Sequence, residues 1–480
     1  MAYYHGVSTR QIETSVSTPV TAGSGIAFVV GTAPVHVVGG KINAPILANN
    51  YSEAVSALGY SDDWSKYSLC EVIYSHYKLY GVSPIIFVNV LDPTKHKTAV
   101  PAANVDLTES KAYLPLEAIK STVIVKDQAG TTTYTLESDY DLFYDNGKLV
   151  IEILDGGTIP EAATELNVAY DKVDPTQVTD AEVIGGFNVT TKETTGFELI
   201  DKVFPMFGIV PDVLLCPGWS HKAEVAAIMS SKAQNINGIF EGKALVDIDT
   251  TTVLHYADAP AWKKAQNINA KTQILCFPMC KLGDKVFHMS TQAAGLMAKV
   301  DSDNGDSPCE SPSNKLLQIN STVLADGTEV ALDLQQANFL NSNGIVTALN
   351  FIGGFVLWGN ETACFPASTD VKDYFICVSR MFGWVSNSVI LTYWSKIDGK
   401  LNRRLIDSII DSLNIWLNGL TSEEKLLGGR VEFKEEENST TSIMSGKAVF
   451  HIYMTPPSPA KELEFILEYD AAYVAAALQA

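Results

Sequence analysis

Ile26-Ala27-Phe28-Val29-Val30-Gly31 is a continuous run without a polar or charged side chain. A strand with one wet face alternates apolar and polar residues; an unbroken run of this length marks a strand covered on both faces, as in a parallel sheet. The residues that follow fit that reading. Helices are expected over Ser52–Leu58 and Tyr67–Tyr80, the latter with Leu69, Val72, Ile73 and Tyr77 on one face, and Pro84–Val90 is a second buried strand. The pattern resumes with helices at Gly196–Phe207, Lys222–Gln234 and Trp262–Asn267. These are interleaved with strands at Val213–Cys216, Ala244–Ile248 and Thr272–Phe277. Strand and helix in alternation predict an α/β sheet.

Between about Pro93 and Pro175 the character changes. Thr122–Val125, Thr131–Leu136, Lys148–Ile153 and Asn167–Tyr170 are β-rich runs separated by turn residues, and Asp145-Asn146-Gly147 is a hairpin signal. A compact β domain is therefore expected as an insertion between two α/β strands. On the other side of the opening run, residues 1–20 are polar with few apolar anchors, Val7, Ile12 and Val16. So thin a stretch cannot bury enough surface to offset its ordering entropy alone, and it reads as an arm.

The last third is built differently. Phe355–Asn360 reads as a short strand and turn. Two amphipathic helices follow, Val371–Trp394 and Lys400–Leu417, and then a strand at Lys447–Thr455. Pro456-Pro457-Ser458-Pro459 interrupts the chain, because proline cannot donate to a sheet. Beyond it Leu463, Phe465, Leu467 and Tyr469 alternate with glutamates 462, 464 and 468, a strand held away from its own domain and inviting a partner chain.

The totals bound the function. A chain of 480 residues is expected to hold about three domains, and 46% hydrophobic residues supply large cores. With 34 basic and 55 acidic residues the formal charge is −21, which argues against nucleic acid or an anionic membrane as partner. No apolar run approaches the roughly 20 residues that span a bilayer, and Met1–Val20 lacks the layout of a signal peptide. Seven irregularly spaced cysteines read as buried thiols of a protein made in the cytoplasm.

A search for chemistry finds no phosphate loop, no dinucleotide fingerprint, no H-E-x-x-H and no G-x-S-x-G. Cys276, Cys280 and His288 are zinc-ligand types without a fourth ligand and read as buried thiols and a surface histidine. Asp301-x-Asp303-x-Gly305-Asp306, which runs into the polar stretch Ser302–Pro312, misplaces the glycine of a calcium loop and has Pro312 at the twelfth position; it reads as a solvated acidic loop. Ser220, beside His221, is expected to cap the following helix. Lys400, Arg403 and Arg404 open a helix in an acidic protein, where the helix dipole mildly disfavours them; an acidic partner surface would use them.

The ends and the last third resemble the contractile tail sheath proteins of myophages and R-type bacteriocins. The resemblance lies in Tyr4-His5-Gly6-Val7, Val16-Ser17-Thr18 and Ile26–Pro34, then Trp358-Gly359-Asn360-Glu361-Thr362, Asn402–Ile406 with Asp411–Leu417, Leu426–Gly429 and Thr455–Ala460, in that order. It implies a multidomain α+β chain: a central α/β domain (21–92 and 176–350), an inserted outer β-sandwich or barrel-like domain (93–175) and an α+β inner domain (351–459). The N-terminal arm (1–20) and the C-terminal arm (460–480) complete it. It further implies a homo-oligomer of stacked hexameric rings around an inner tail tube, with baseplate and tail terminator proteins as further partners. In such a sheath Val7, Ile12, Val16, Leu463, Phe465, Leu467 and Tyr469 exchange between subunits as strands, and Lys400, Arg403 and Arg404 face the tube. No cofactor, metal, catalysis, nucleic acid or membrane insertion is implied, and the place is the virion tail or tailocin particle, assembled in the bacterial host cytoplasm. The competing readings are a hydrolase-like α/β enzyme with a β accessory domain and a cell-surface binding protein.

Overall fold

The computed structural model describes residues 19–478. Val7, Ile12 and Val16 lie outside the described residues.

The opening run forms β1 (Ala27–Gly31), wholly buried, near the middle of an eight-stranded sheet. Its other strands are β2 (Ile46–Ala48), β3 (Ile85–Asn89), β4 (Val213–Leu215), β5 (Lys243–Asp247), β6 (Gln273–Cys276), β7 (Ile345–Asn350) and β8 (Phe355–Trp358). Their order is β8-β7-β6-β5-β4-β1-β3-β2, antiparallel at both edges and parallel between. The chain steps from β1 to β3 on one side and later to β4 on the other, so the sheet reverses direction around β1. Helix α1 (Met289–Asp303) runs through the main core and exposes only Lys299, Ser302 and Asp303. The expected helix Tyr67–Tyr80 begins as an α-helix at Ser68–Ile73 and continues as a π-helix at Tyr74–Tyr80, packed against α1.

Residues 97–173 form two three-stranded antiparallel sheets around their own core, which includes Leu114, Val125, Leu142, Leu149, Ile151 and Leu166. The hairpin Tyr140–Asp145/Lys148–Ile153 closes through Asn146 (φ +46°) and Gly147 (φ +74°), the left-handed pair that a two-residue turn of this twist requires. The strand expected at Thr131–Leu136 is absent: the segment makes only isolated bridges, because Asp127 draws the chain into a turn by accepting from the amides of Thr131 and Thr132.

In the last third the expected helix Val371–Trp394 is split. A single turn, Val371–Tyr374, ends at Phe375 (ψ 126°), and α2 runs over Ile376–Tyr393. The break has a cause in the backbone. Thr362 donates to the Tyr374 carbonyl at 2.7 Å and Ile376 to the Asn360 carbonyl at 2.8 Å, so residues 374–376 pair as a strand would. Helix α3 spans Arg403–Ser422 and lays Leu413, Leu417 and Leu420 on α2 and on an antiparallel ribbon, β9 (Gly428–Glu432) and β10 (His451–Thr455). The expected strand Lys447–Thr455 is shorter at its start, where Val449 instead bonds the side chain of Asn438.

Candidate assembly surfaces

Helix α2 is where the N-terminal segment meets the last third. Among residues 20–24 the bonds fall on every fourth residue of the helix. Val20 N–H donates to Thr392 Oγ1 at 2.9 Å and Ala22 N–H to Ser388 Oγ at 2.9 Å, while Trp384 Nε1 donates to the Ala22 carbonyl at 2.8 Å. Arg380 Nη2 reaches Ser24 Oγ at 3.3 Å. The chain then turns into β1 at Gly25, whose φ of +72° and approach to α1 exclude a side chain: an added Cβ would lie 2.6 Å from Ala298 Cα.

Arg380 is also the hub of a buried ion cluster. It donates to both oxygens of Asp301 (Nη1 to Oδ1 at 3.0 Å) and through Nη2 to Asp212 Oδ2 at 2.9 Å. Ser24 Oγ donates to Asp301 Oδ2 at 2.8 Å, and Asp212 Oδ1 accepts from the amide of Ile26 at 2.8 Å. Burial opposes charge on the guanidinium, but the two carboxylates beside it outweigh burial and hold it ionised. Burial likewise pushes the Asp301 carboxyl up, against the pull of Arg380. Asp301 is therefore not the start of a solvated loop: α1 continues through it and turns it inward, fully buried.

The ribbon packs on α3. Val431 packs into the α2–α3 core, and its amide is taken by Asn414 Oδ1 at 2.9 Å. Among the described residues β9 and β10 pair only with each other, leaving open strand edges. After β10, residues 456–470 have neither helix nor strand, since the isolated chain offers the expected strand no partner. Leu463, Phe465, Ile466, Leu467 and Tyr469 are 72–96% exposed. The root of this tail touches the body where Lys461 Nζ meets Glu361 Oε1 at 2.6 Å and lies over the Phe365 ring, 5.2 Å from its centroid. Residues Ala471–Leu478 form a helix.

Lys400, Arg403 and Arg404 are all exposed at the start of α3, whose N-cap is Asn402. Arg403 pairs with Asp407 at 2.9 Å, one turn on. Exposed Trp394 and Ile397 precede them in the loop, so the corner is both basic and apolar.

The crevice at the carboxyl ends of β1 and β4, where a doubly wound sheet commonly takes a ligand, is lined by Thr32, Glu71, Gly218, Trp219 and His288. Glu71 accepts from His288 N–H at 2.7 Å and Asp247 from Ser290 N–H at 2.9 Å, so the N-terminus of α1 already faces two anions. Ser220 does not cap a helix; it is buried and donates to Asp247 Oδ2 at 3.0 Å, while the following helix begins at Ala223. Cys276 and Cys280 are buried thiols, and burial pushes both up. His288 is no free surface group. Its Nδ1 lies 2.8 Å from Glu71, and although burial opposes charge, that carboxylate lifts it to about 9. Among the described residues no group of three metal-ligating side chains occurs, and no helix is long and apolar enough to cross a membrane.

Sequence reasoning missed the Arg380 cluster. The available signal was Ser379-Arg380 interrupting an otherwise apolar helical stripe, with Ser388 and Thr392 continuing the same face.

No family model matches the chain. In fold it is similar to subunits of contractile injection machines. It aligns with a chain of the anti-feeding prophage baseplate at a TM-score of 0.58 and 13% identity, over 98% of this chain and 100% of that one. With the sheath complex of an extracellular contractile injection system, PVC, in its contracted state, the TM-score is 0.57 and the identity 13%, over 98% and 99%. The fold class is thus the mixed α/β architecture of contractile sheath proteins. In sequence the chain is 30% identical over 488 aligned positions to the tail sheath protein of Burkholderia phage BcepMu, covering 98% of each. The chain belongs to the tail sheath protein family and is a structural subunit of a contractile tail sheath.

Proposed function

We propose that this subunit polymerises as stacked hexameric rings around an inner tail tube, linked by strands exchanged between neighbours. The observation that supports this most is the juxtaposition in the last third of an open two-stranded ribbon and an unpaired tail with strongly exposed apolar residues. An extended arm gains main-chain bonds and pockets for alternate side chains when it joins such an edge. The N-terminal arm (1–20), through Val7, Ile12 and Val16, and the C-terminal arm (460–480), through Leu463, Phe465, Leu467 and Tyr469, join the ribbon of a third subunit. The unit 351–459 lies inward with Lys400, Arg403 and Arg404 on the tube; 21–92 with 176–350 lies further out, and 93–175 is outermost. Contacts that do not close on themselves build helical arrays.

The sheath assembles extended in the host cytoplasm, between the baseplate and the terminator. It contracts by exchanging one set of subunit contacts for a larger one, without nucleotide hydrolysis. Phage tail and tailocin particle are equally served by this arrangement.

Negative-stain microscopy tests the reading. The full chain supplied with tube is expected to form long tubes, and a chain lacking 1–20 and 460–480 only monomers. Charge reversal at Lys400, Arg403 and Arg404 is expected to leave the subunit within about 0.5 kcal/mol of wild-type stability and to abolish growth on the tube. Discrete particles from the full chain, or tubes from the truncated one, would overturn it.

A further inference from the structure

The contacts between residues 20–24 and α2 have a geometry that random packing does not supply. Two residues of extended chain advance about 6.6 Å, and four residues of α-helix about 6 Å. Those steps match, so an extended segment running antiparallel to a helix can meet every fourth helical residue with every second residue of its own. Val20 and Ala22 do so, at Thr392 and Ser388; beyond them the longer side chains of Trp384 and Arg380 reach to the Ala22 carbonyl and to Ser24.

The hydroxyls are also set for the task. Ser388 Oγ donates to the Trp384 carbonyl at 2.7 Å and Thr392 Oγ1 to the Ser388 carbonyl at 2.7 Å. With the proton of each spent inside the helix, each oxygen is left as an acceptor aimed at the segment's amides. The bonds are sheltered, since Ser388 and Ala22 are buried and Ala22 belongs to the α2–α3 core.

We propose that this face of α2 (Arg380, Trp384, Ser388 and Thr392) is a shear anchor through which pull on the N-terminal arm enters the subunit. The proposal rests on the reading of residues 1–20 as an inter-subunit arm. A pull along residues 20–24 runs along the axis of α2, so the four contacts lie across the force and are strained together instead of one after another. The last of them is Arg380, which passes the force to Asp301 on α1 and Asp212 before β4. The arm, the inner helices and the central sheet therefore move as one body while subunits rotate past one another.

The test uses the full chain carrying Ser388→Ala with Thr392→Val. Both substitutions keep the approximate size and remove the acceptors together with the hydroxyl bonds to the helix carbonyls, which the helix does not need for its backbone ladder, so the helix persists. Ser220→Ala, which removes a buried hydroxyl elsewhere, controls for general destabilisation. In the isolated subunit, hydrogen exchange at Val20 and Ala22 is expected to quicken about tenfold, the order set by one lost hydrogen bond, with β1 unchanged and no such local change in the control. On tube, the double variant is expected to form sheaths of normal length that break into pieces several-fold shorter on contraction. Unchanged exchange at Val20 and Ala22 would overturn the anchor, as would sheaths that survive contraction intact. If a chain lacking 1–20 still assembles, the arm reading itself fails. The exchange result separates the two failures, because it requires no polymer.

Discussion

The two ends of the described chain leave the body in opposite ways. Residues 20–26 are bonded along α2 and seated beside a buried arginine with two carboxylates, with Gly25 locked against α1. Residues 456–459 are a proline-rich spacer that begins buried at Pro456, and beyond it the half-exposed Lys461 forms an ion pair with the body. Both precede or follow segments of similar modest length, yet one root is a fixture and the other a swivel. On the proposed exchange of arms between subunits, the difference means that the two arms are not equivalent. A subunit can hold one neighbour through a rigid strut and another through a free joint, and a lattice built so can rotate its subunits without losing track of their order.

The largest effect should come from the fixture. Arg380→Ala leaves Asp301 and Asp212 buried without their cation and is expected to cost about 3–5 kcal/mol, read as a drop in the urea midpoint. Arg380→Lys should recover only part of this, since a single ammonium cannot fork between two carboxylates. A cost below about 1 kcal/mol would erase the distinction between the roots.

A somewhat smaller effect reaches the same fixture from the other end of α1, at the His288–Glu71 pair. The unfolded imidazole titrates near 6.5 and the folded one near 9. The pair's contribution is therefore whole below 6.5 and is lost as pH rises from there through 9. The loss amounts to about 3 kcal/mol at most. Urea midpoints at pH 6 and pH 9.5 check it, and His288→Gln should flatten that part of the decline. An equally steep decline in the variant would mean that α1 is not held by this charge.

The smallest effect belongs to the swivel. Lys461→Ala takes the half-exposed partner from the buried Glu361 and is expected to cost about 1–2 kcal/mol. It should widen the spread of positions of the tail, measured by spin-label distances between residue 467 and the body. A narrow distribution in the wild type that stays narrow in the variant would show that the spacer alone sets the direction.

Much of this was legible in the sequence, and what was not has identifiable causes. Ile26–Gly31 announced a doubly covered strand because every one of its side chains must be apolar there. Asn146-Gly147 announced a hairpin because few residue pairs accept two positive φ angles. The break at Phe375 was invisible, since both flanking pieces bury the same side and the apolar period runs on across the gap. Arg380 was invisible for another reason: its partners lie 79 and 168 residues away, and a lone charge in a helical stripe looks solvated. Asp301 was misread because its neighbours Ser302, Asp303 and Gly305 are loop-like, although it is the last inward residue of α1. For the assembly surfaces, alternation at Leu463–Tyr469 was plain in the sequence, while the receiving edge we propose belongs to a second chain.

The bonds that fix Val20 and Ala22 span 372 and 366 residues. During synthesis at ~5–20 residues per second, the receiving helix follows the segment by roughly 20–70 s, so the segment emerges long before its seat. Nascent chains lined up on one message thus carry this segment unseated until α2 has emerged. The order of translation itself delays the moment at which a subunit becomes fit to join its neighbours.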